Sequence, residues 1–253
     1  MEFVTVLTDI NHSGFNRHLL ASAKKNNIEL TVLEYDDDFF SNRLKDVLLV
    51  QYLQDVSDNK LIFFSDASDA AFLSDEKEIF EKFLHFEKEL VFSAEVNCWP
   101  DQSLADGYPA NPAHFRYLNC GAFIAKSGFL KKIYEKYPIF ETATGRYDWS
   151  NQIYWHHIFK HEQDSIAIDQ QCTVFYNTSF QIQDIRVFMN NLRDPNEVEI
   201  MYADEKKRLF AEIDIIQNRI SVKRTGSLPC HIHFPGPISK LLMERGDYDF
   251  LVV

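Results

Sequence analysis

The chain has 253 residues, 45% of them hydrophobic and 25% charged, which is enough for one large α/β domain with a well-buried core. Its formal net charge of −12 opposes contact with phosphate backbones, so general nucleic-acid binding is set aside, and a nucleotide ligand would need a metal cation or local Lys and Arg groups. No stretch is long and apolar enough to span a membrane, and the opening MEFVTVLTD lacks a basic leader region and reads as a first strand, so the cytoplasm is the expected compartment. The four cysteines are scattered without a CxxC pair and read as free buried thiols.

In chain order, Phe3 to Thr8 (FVTVLT) is a β-rich run, and Gly14 to Lys25 has helical spacing through Phe15, Leu19 and Ala23. Ile28 to Leu33 predicts a second strand and Leu44 to Leu53 a second helix. Leu61 to Phe64 (LIFF) is short and apolar throughout, as a central parallel strand should be. Ser74 to Phe86 predicts a helix capped by Ser74, and Leu90 to Ala94 a fourth strand. This β-α-β-α-β order implies a mostly parallel sheet flanked by helices, with ligands outside the carboxyl ends of its strands. Thr8, Asp9, Asp66, Asp69 and Glu95 are therefore expected near one crevice. The second half is irregular: strands at 121–125, 165–168, 173–176 and 230–234, and a helix near 129–137. The polar segment 194–224 reads as an inserted loop or a lobe packing on another subunit, which leaves a homodimer open.

The chemistry centres on FFSDASDAAF at 63–72. An apolar strand ends in two carboxylates spaced as DxxD, Asp66 and Asp69. Their hard oxygens suit Mn²⁺, with Mg²⁺ as the alternative, and such a metal would bridge a diphosphate and stabilise its departure. A capped turn with a solvated Asp fits this spacing equally well. A phosphatase of the haloacid dehalogenase type does not fit, because it needs DxD followed by Thr. VFSAEVNCWP at 91–100 is another strand ending in an acid, Glu95, and then Trp99, which reads either as a sugar platform or as a core residue. HIHFPGPISK at 231–240 ends a strand in His233, a third ligand or a structural imidazole. The turn after it, with Lys240, offers N–H groups and a cation to a diphosphate.

With YLNCGAFIA at 117–125, NQIYWHHIF at 151–159 and AIDQQCTVFYN at 167–177, these segments in this order resemble the glycosyltransferase domain of the procollagen lysyl hydroxylases. The resemblance covers nearly the whole chain. It implies one GT-A-type domain over 1–253, with a nucleotide-binding half at 1–100 and an acceptor half at 101–253. It implies a retaining, metal-dependent glucosyltransferase that moves glucose from UDP-glucose to galactosylhydroxylysine of collagen or a collagen-like chain. Asp66, Asp69 and His233 match the metal ligands. Val6, Leu7 and Thr8 match the uridine-receiving strand end, and Gly236, Pro237, Ile238, Ser239 and Lys240 the diphosphate-binding turn. Glu95 and Trp99 match the sugar side, Asn119 and Gly121 the floor, and Asp169 a later acid.

Departures from the family pattern fall elsewhere. Ser68 stands where the family carries an aromatic that stacks on the nucleotide, leaving Phe39, Phe40 or another ring as the substitute. The loop before the second helix is shortened to 37–45, with Arg43 or Lys45 as its basic residue. A run of aspartates is reduced to Asp148, followed by Trp149, Ser150 and Asn151, and Asn151 is no carboxylate. Glu95, Asp148 or Asn151 is then expected to orient sugar or acceptor. The alternatives are another UDP-sugar such as UDP-galactose with a different acceptor, or a non-catalytic sugar- or collagen-binding module. The expected form is a stand-alone enzyme of the kind found in large DNA viruses, acting in the host cytoplasm if viral.

Overall fold

The computed structural model describes residues 1–36, 40–109, 113–216 and 219–251; Phe39, named above as a stacking substitute, lies outside them. Strand β1 (Glu2–Leu7) leads into a π-helical stretch, Phe15–Leu20, that continues as α1 (Ala21–Lys25). β2 (Leu30–Glu34), α2 (Leu44–Leu53), β3 (Leu61–Ser65), β4 (Ala70–Phe72), α3 (Glu76–Leu84) and β5 (Leu90–Glu95) follow. A 3-10 segment, Gln102–Gly107, precedes β6 (Tyr117–Lys126), α4 (Ser127–Lys136) and α5 (Asn151–His161). The chain continues with β7 (Ile166–Ile168), β8 (Phe175–Asn177), α6 (Ile185–Asn191) and α7 (Pro195–Glu212). It closes with the hairpin β9 (Ile213–Ile216) and β10 (Arg219–Val222), then β11 (His231–His233) and α8 (Gly236–Glu244).

The main sheet has the order β2-β1-β3-β6-β5-β7. β1 runs parallel to β2 and β3, and β5 parallel to β7, while β6 is inserted antiparallel between β3 and β5. The sheet is thus mostly parallel and flanked by helices. Its strands are apolar on both faces because both are covered. Val4, Ile62, Phe64 and Phe92 pack on one side against α2, α4 and α5, and Phe3, Phe63 and Val91 on the other against the first helix and α3. No helix among the described residues is long and apolar enough to cross a membrane.

Three expectations change. β6 spans ten residues rather than the five expected, because Tyr117 to Asn119 continue the pairing to β5 across a bulge at Phe92/Ser93. The cap of α3 is Asp75, not Ser74: the Asp75 side chain accepts the Glu78 N–H at 3.0 Å. Segment 194–224 is not an inserted loop. It holds the capped helix α7, opened by Asp194 and Pro195, and the β9–β10 hairpin, and these enclose a third core with α8.

A small second sheet, β4-β11-β8, positions the site. β11 lies antiparallel to β4, with His233 opposite Ala70, and parallel to β8. The loop carrying Asp66 and Asp69 bridges the two sheets, since it leaves β3 and enters β4.

Candidate active site

Asp66 leaves the end of β3 with its N–H donated to the Gly121 carbonyl at 2.7 Å. Three residues on, the Asp69 carbonyl accepts the N–H of Phe234 at 2.8 Å, which locks the loop to the end of β11. Two strand ends and a short cross-sheet pairing therefore bring Asp66, Asp69 and His233 together, with one ligand atom from each lying within 4.8 Å of the others. His233 Nε2 stands 3.5 Å from Asp69 Oδ2 and 3.7 Å from Asp66 Oδ2. These contacts are too long for well-formed hydrogen bonds, and Nε2 is buried without a hydrogen-bond partner among the described residues. Two hard carboxylates and one imidazole with an unengaged nitrogen fit a divalent cation such as Mn²⁺ or Mg²⁺. Gly121 makes room for the imidazole: a Cβ there would lie 2.2 Å from His233 Cε1.

Two lysines border the carboxylates. Lys45 Nζ is 2.5 Å from Asp66 Oδ1, and Lys240 Nζ is 3.1 Å from Asp69 Oδ2. Burial opposes ionisation of Asp69, but His233 and Lys240 outweigh it and hold the carboxyl well below its usual range. Burial likewise opposes the charge on Lys45, yet Asp66 wins and its pKa rises. On the neighbouring strand end, Glu95 Oε1 accepts from Asn119 Nδ2 at 3.0 Å and Gln152 Nε2 at 2.6 Å. Burial nevertheless pushes the Glu95 carboxyl up to about 7.

These groups open into a cavity of about 600 Å³. Part of its lining is polar, with Glu95, Asn97, Asn119, Asn151 and Gln152, and part is apolar, with Phe180, Ile182, Phe188, Met189 and Leu192. Asn97 pins the base of the apolar part, since its amide donates to the Phe180 carbonyl at 2.8 Å and accepts the Ile182 N–H at 3.0 Å. Trp99 and Trp149 complete the rim.

Of the residues singled out in the sequence, the cavity gathers Lys45, Asp66, Asp69, Glu95, Trp99, Asn119, Gly121, Asn151, His233, Gly236, Pro237, Ile238 and Lys240. Val6 and Leu7 are buried in the sheet core, and Thr8 is exposed just past the end of β1. Ser68 sits on the metal loop with its hydroxyl 3.5 Å from Asp69 Oδ1, and does not line the cavity. Asp148 is exposed beyond the rim. Ser239 is buried on the other side of α8, its hydroxyl 3.4 Å from Glu205. Asp169 is buried and accepts the N–H groups of Thr173, Val174 and Phe175, so it organises a turn. Asn97, Gln152, Trp149 and the apolar lining were not foreseen. For Gln152 the available signal was its place directly after Asn151 at a helix start.

A glycosyltransferase described as involved in the glycosylation of the major capsid of PBCV-1 shares the fold. Its TM-score is 0.50 over 96% of this chain and 98% of that one, at 9% identity. Residues 1–210 match the family described as PLOD GT domain, and fold and family match together define the class, a glycosyltransferase domain with a GT-A-type fold. An uncharacterized protein of Acanthamoeba polyphaga mimivirus is 31% identical over 198 residues, 78% of this chain and 36% of that one. A multifunctional procollagen lysine hydroxylase and glycosyltransferase of Caenorhabditis elegans is 32% identical over 202 residues, 73% of this chain and 26% of that one. The chain belongs to the PLOD GT domain family, and it spans about a third or less of the length of these relatives.

Proposed function

We propose that the chain transfers glucose from UDP-glucose, with retention of configuration, to galactosylhydroxylysine in collagen or a collagen-like polypeptide. The observation that carries the reading is the convergence of Asp66, Asp69 and His233 beside a polar cavity, in a chain of this family. Asp66, Asp69 and His233 would hold a divalent cation, by preference Mn²⁺, and that ion supplies Lewis-acid stabilisation to the departing diphosphate. Lys45 and Lys240 bring positive charge to the same place, and the N-terminus of α8 at Gly236 presents its dipole and free N–H groups to an anion. The end of β1, Val6 to Thr8, receives the uridine.

On the sugar side, the Glu95–Asn119–Gln152 network fixes one carboxyl oxygen and leaves the group able to pair with a sugar hydroxyl. With its pKa near 7, Glu95 serves as acceptor or donor close to neutral pH. Trp99 offers a flat face to the sugar ring, and Asn151 and Asp148 orient the acceptor. In the reaction the bond from the anomeric carbon to the diphosphate oxygen breaks, and a bond to the acceptor oxygen forms on the same face. The hydroxyl proton leaves with UDP.

The test is mass spectrometry of a galactosylhydroxylysine peptide incubated with Mn²⁺ and, in turn, UDP-glucose, UDP-galactose and other UDP-sugars. One added hexose from UDP-glucose is expected. Preferential transfer from UDP-galactose would move the donor assignment. Neither transfer nor UDP release with any donor would leave a sugar- or collagen-binding module.

A further inference from the structure

A second groove, of about 270 Å³, runs along another face of α5. Ile153, His156, His157 and Lys160, spaced i, i+3, i+4 and i+7, form its floor. The segment Ala143 to Tyr147 and the 3-10 segment around Leu104 form its sides. A thin wall divides it from the site cavity. The Trp99 carbonyl accepts Gln152 Nε2 from the cavity side at 3.0 Å and His156 Nε2 from the groove side at 2.8 Å. Tyr147 lines the groove and Trp149, two residues on in the same turn, lines the cavity, a separation of at most about 7 Å.

The groove is cationic in a chain of net charge −12. Arg146 and Lys160 are exposed at its edge, and among the described residues no ion pair is formed by either, or by His157. The Arg146 guanidinium lies over the Tyr147 ring, 5.2 Å from its centroid. The acid that lines the groove, Asp101, has Oδ1 turned to the Ser103 N–H at 3.0 Å. Arg146 and Lys160 thus offer charge to an anion, and Leu104, Ala143 and Tyr147 offer apolar surface to its methylene stem.

We propose that this groove is an acceptor subsite that takes an acidic side chain of the polypeptide whose modified residue enters the cavity. The proposal rests on the reading of the cavity as a transferase site for a polypeptide. On this proposal the polypeptide with one side chain in the cavity carries its backbone over the Trp99–Trp149 rim. A neighbouring Asp or Glu then reaches Arg146 and Lys160 across the shared wall.

The experiment compares two collagen-like peptides with one galactosylhydroxylysine, carrying Glu or Gln within about four residues of it. The wild-type chain should show a KM for the Glu peptide about tenfold below that for the Gln peptide at low salt, with the gap closing at high salt. In the double variant Arg146→Glu, Lys160→Glu the preference should vanish or reverse, while kcat and the KM for UDP-glucose stay unchanged. Equal KM values for both peptides on the wild type, or an equal change for both in the variant, would overturn the subsite. If neither peptide is glycosylated, the transferase reading fails by itself. Fluorescence anisotropy with the same peptides then decides the groove: binding that depends on Glu and is lost in the variant upholds it, and equal binding overturns it.

Discussion

A methyl group on Gly121 would meet the His233 ring at 2.2 Å, so the glycine is where strand β6 yields to the imidazole. Gly121→Ala should leave the chain folded but displace His233. A loss of about 10–100-fold in Mn²⁺ affinity is expected, read by isothermal titration in the presence of UDP. Unchanged affinity would remove His233 from the ligand set. Asp69→Ala removes a carboxylate held ionised by His233 and Lys240 and should abolish transfer without unfolding the chain, as read by circular dichroism and UDP release.

Asp46, just behind the site, gives a pH prediction. Burial pushes its carboxyl from 3.8 up to about 6, against the opposing hydrogen bonds from Tyr134 and Trp155, and Oδ2 has no partner among the described residues. The unfolded chain therefore loses this proton first as pH rises. Stability falls between about pH 4 and pH 6, and the reduced level persists above, a loss of about 3 kcal/mol from this group. Asp46→Asn keeps the acceptor at Oδ1 and does not ionise. Urea unfolding should show the variant gaining on the wild type by that amount between pH 4 and pH 7. Parallel profiles would contradict the assignment.

At the scale of elements, the loop before α2 organises the rim of the site. Arg43 is fully buried, and its guanidinium donates to the carbonyls of Ile139 at 2.5 Å, Thr142 at 2.7 Å and Ala143 at 2.8 Å. Ser41 adds a hydrogen bond to the Trp149 carbonyl at 3.0 Å. Arg43→Ala would leave these carbonyls unpaired and should destabilise the chain by about 2–5 kcal/mol in urea unfolding, and raise the KM for acceptor more than that for UDP-glucose. Of the two basic candidates the sequence offered, Arg43 holds this loop and Lys45 points to Asp66.

Strands β1, β2, β3 and β5 and the helices between them were legible because their signals are local. Leu44 to Leu53 is the predicted helix to the residue, and β3 and β5 are apolar runs ended by acids. β4 was missed because three residues, AAF, carry no period, and their pairing to β11 spans most of the chain. α7 was missed because Glu205 and Leu209 are its buried residues, so no apolar stripe marks it. In the site, acids and imidazole could be read from strand ends. Asn97 and Gln152 could not, because an amide in a motif has no signature until its partners are placed.

For the whole molecule, the order β2-β1-β3-β6-β5-β7 puts the ends of β3 and β5 on either side of antiparallel β6, whose Asn119 and Gly121 form the floor between Asp66 and Glu95. The small sheet then delivers His233 from the far end of the chain. The ends of β3, β5 and β11 are thereby joined in one cavity with the second groove across its wall. The proposed role of Asp66, Asp69 and His233 together is metal-dependent departure of UDP. It is tested most directly by UDP release from UDP-glucose after chelation and again after Mn²⁺ is restored. Release that disappears with chelation and returns with Mn²⁺ is the predicted result; release that continues unchanged in the chelated protein would contradict it.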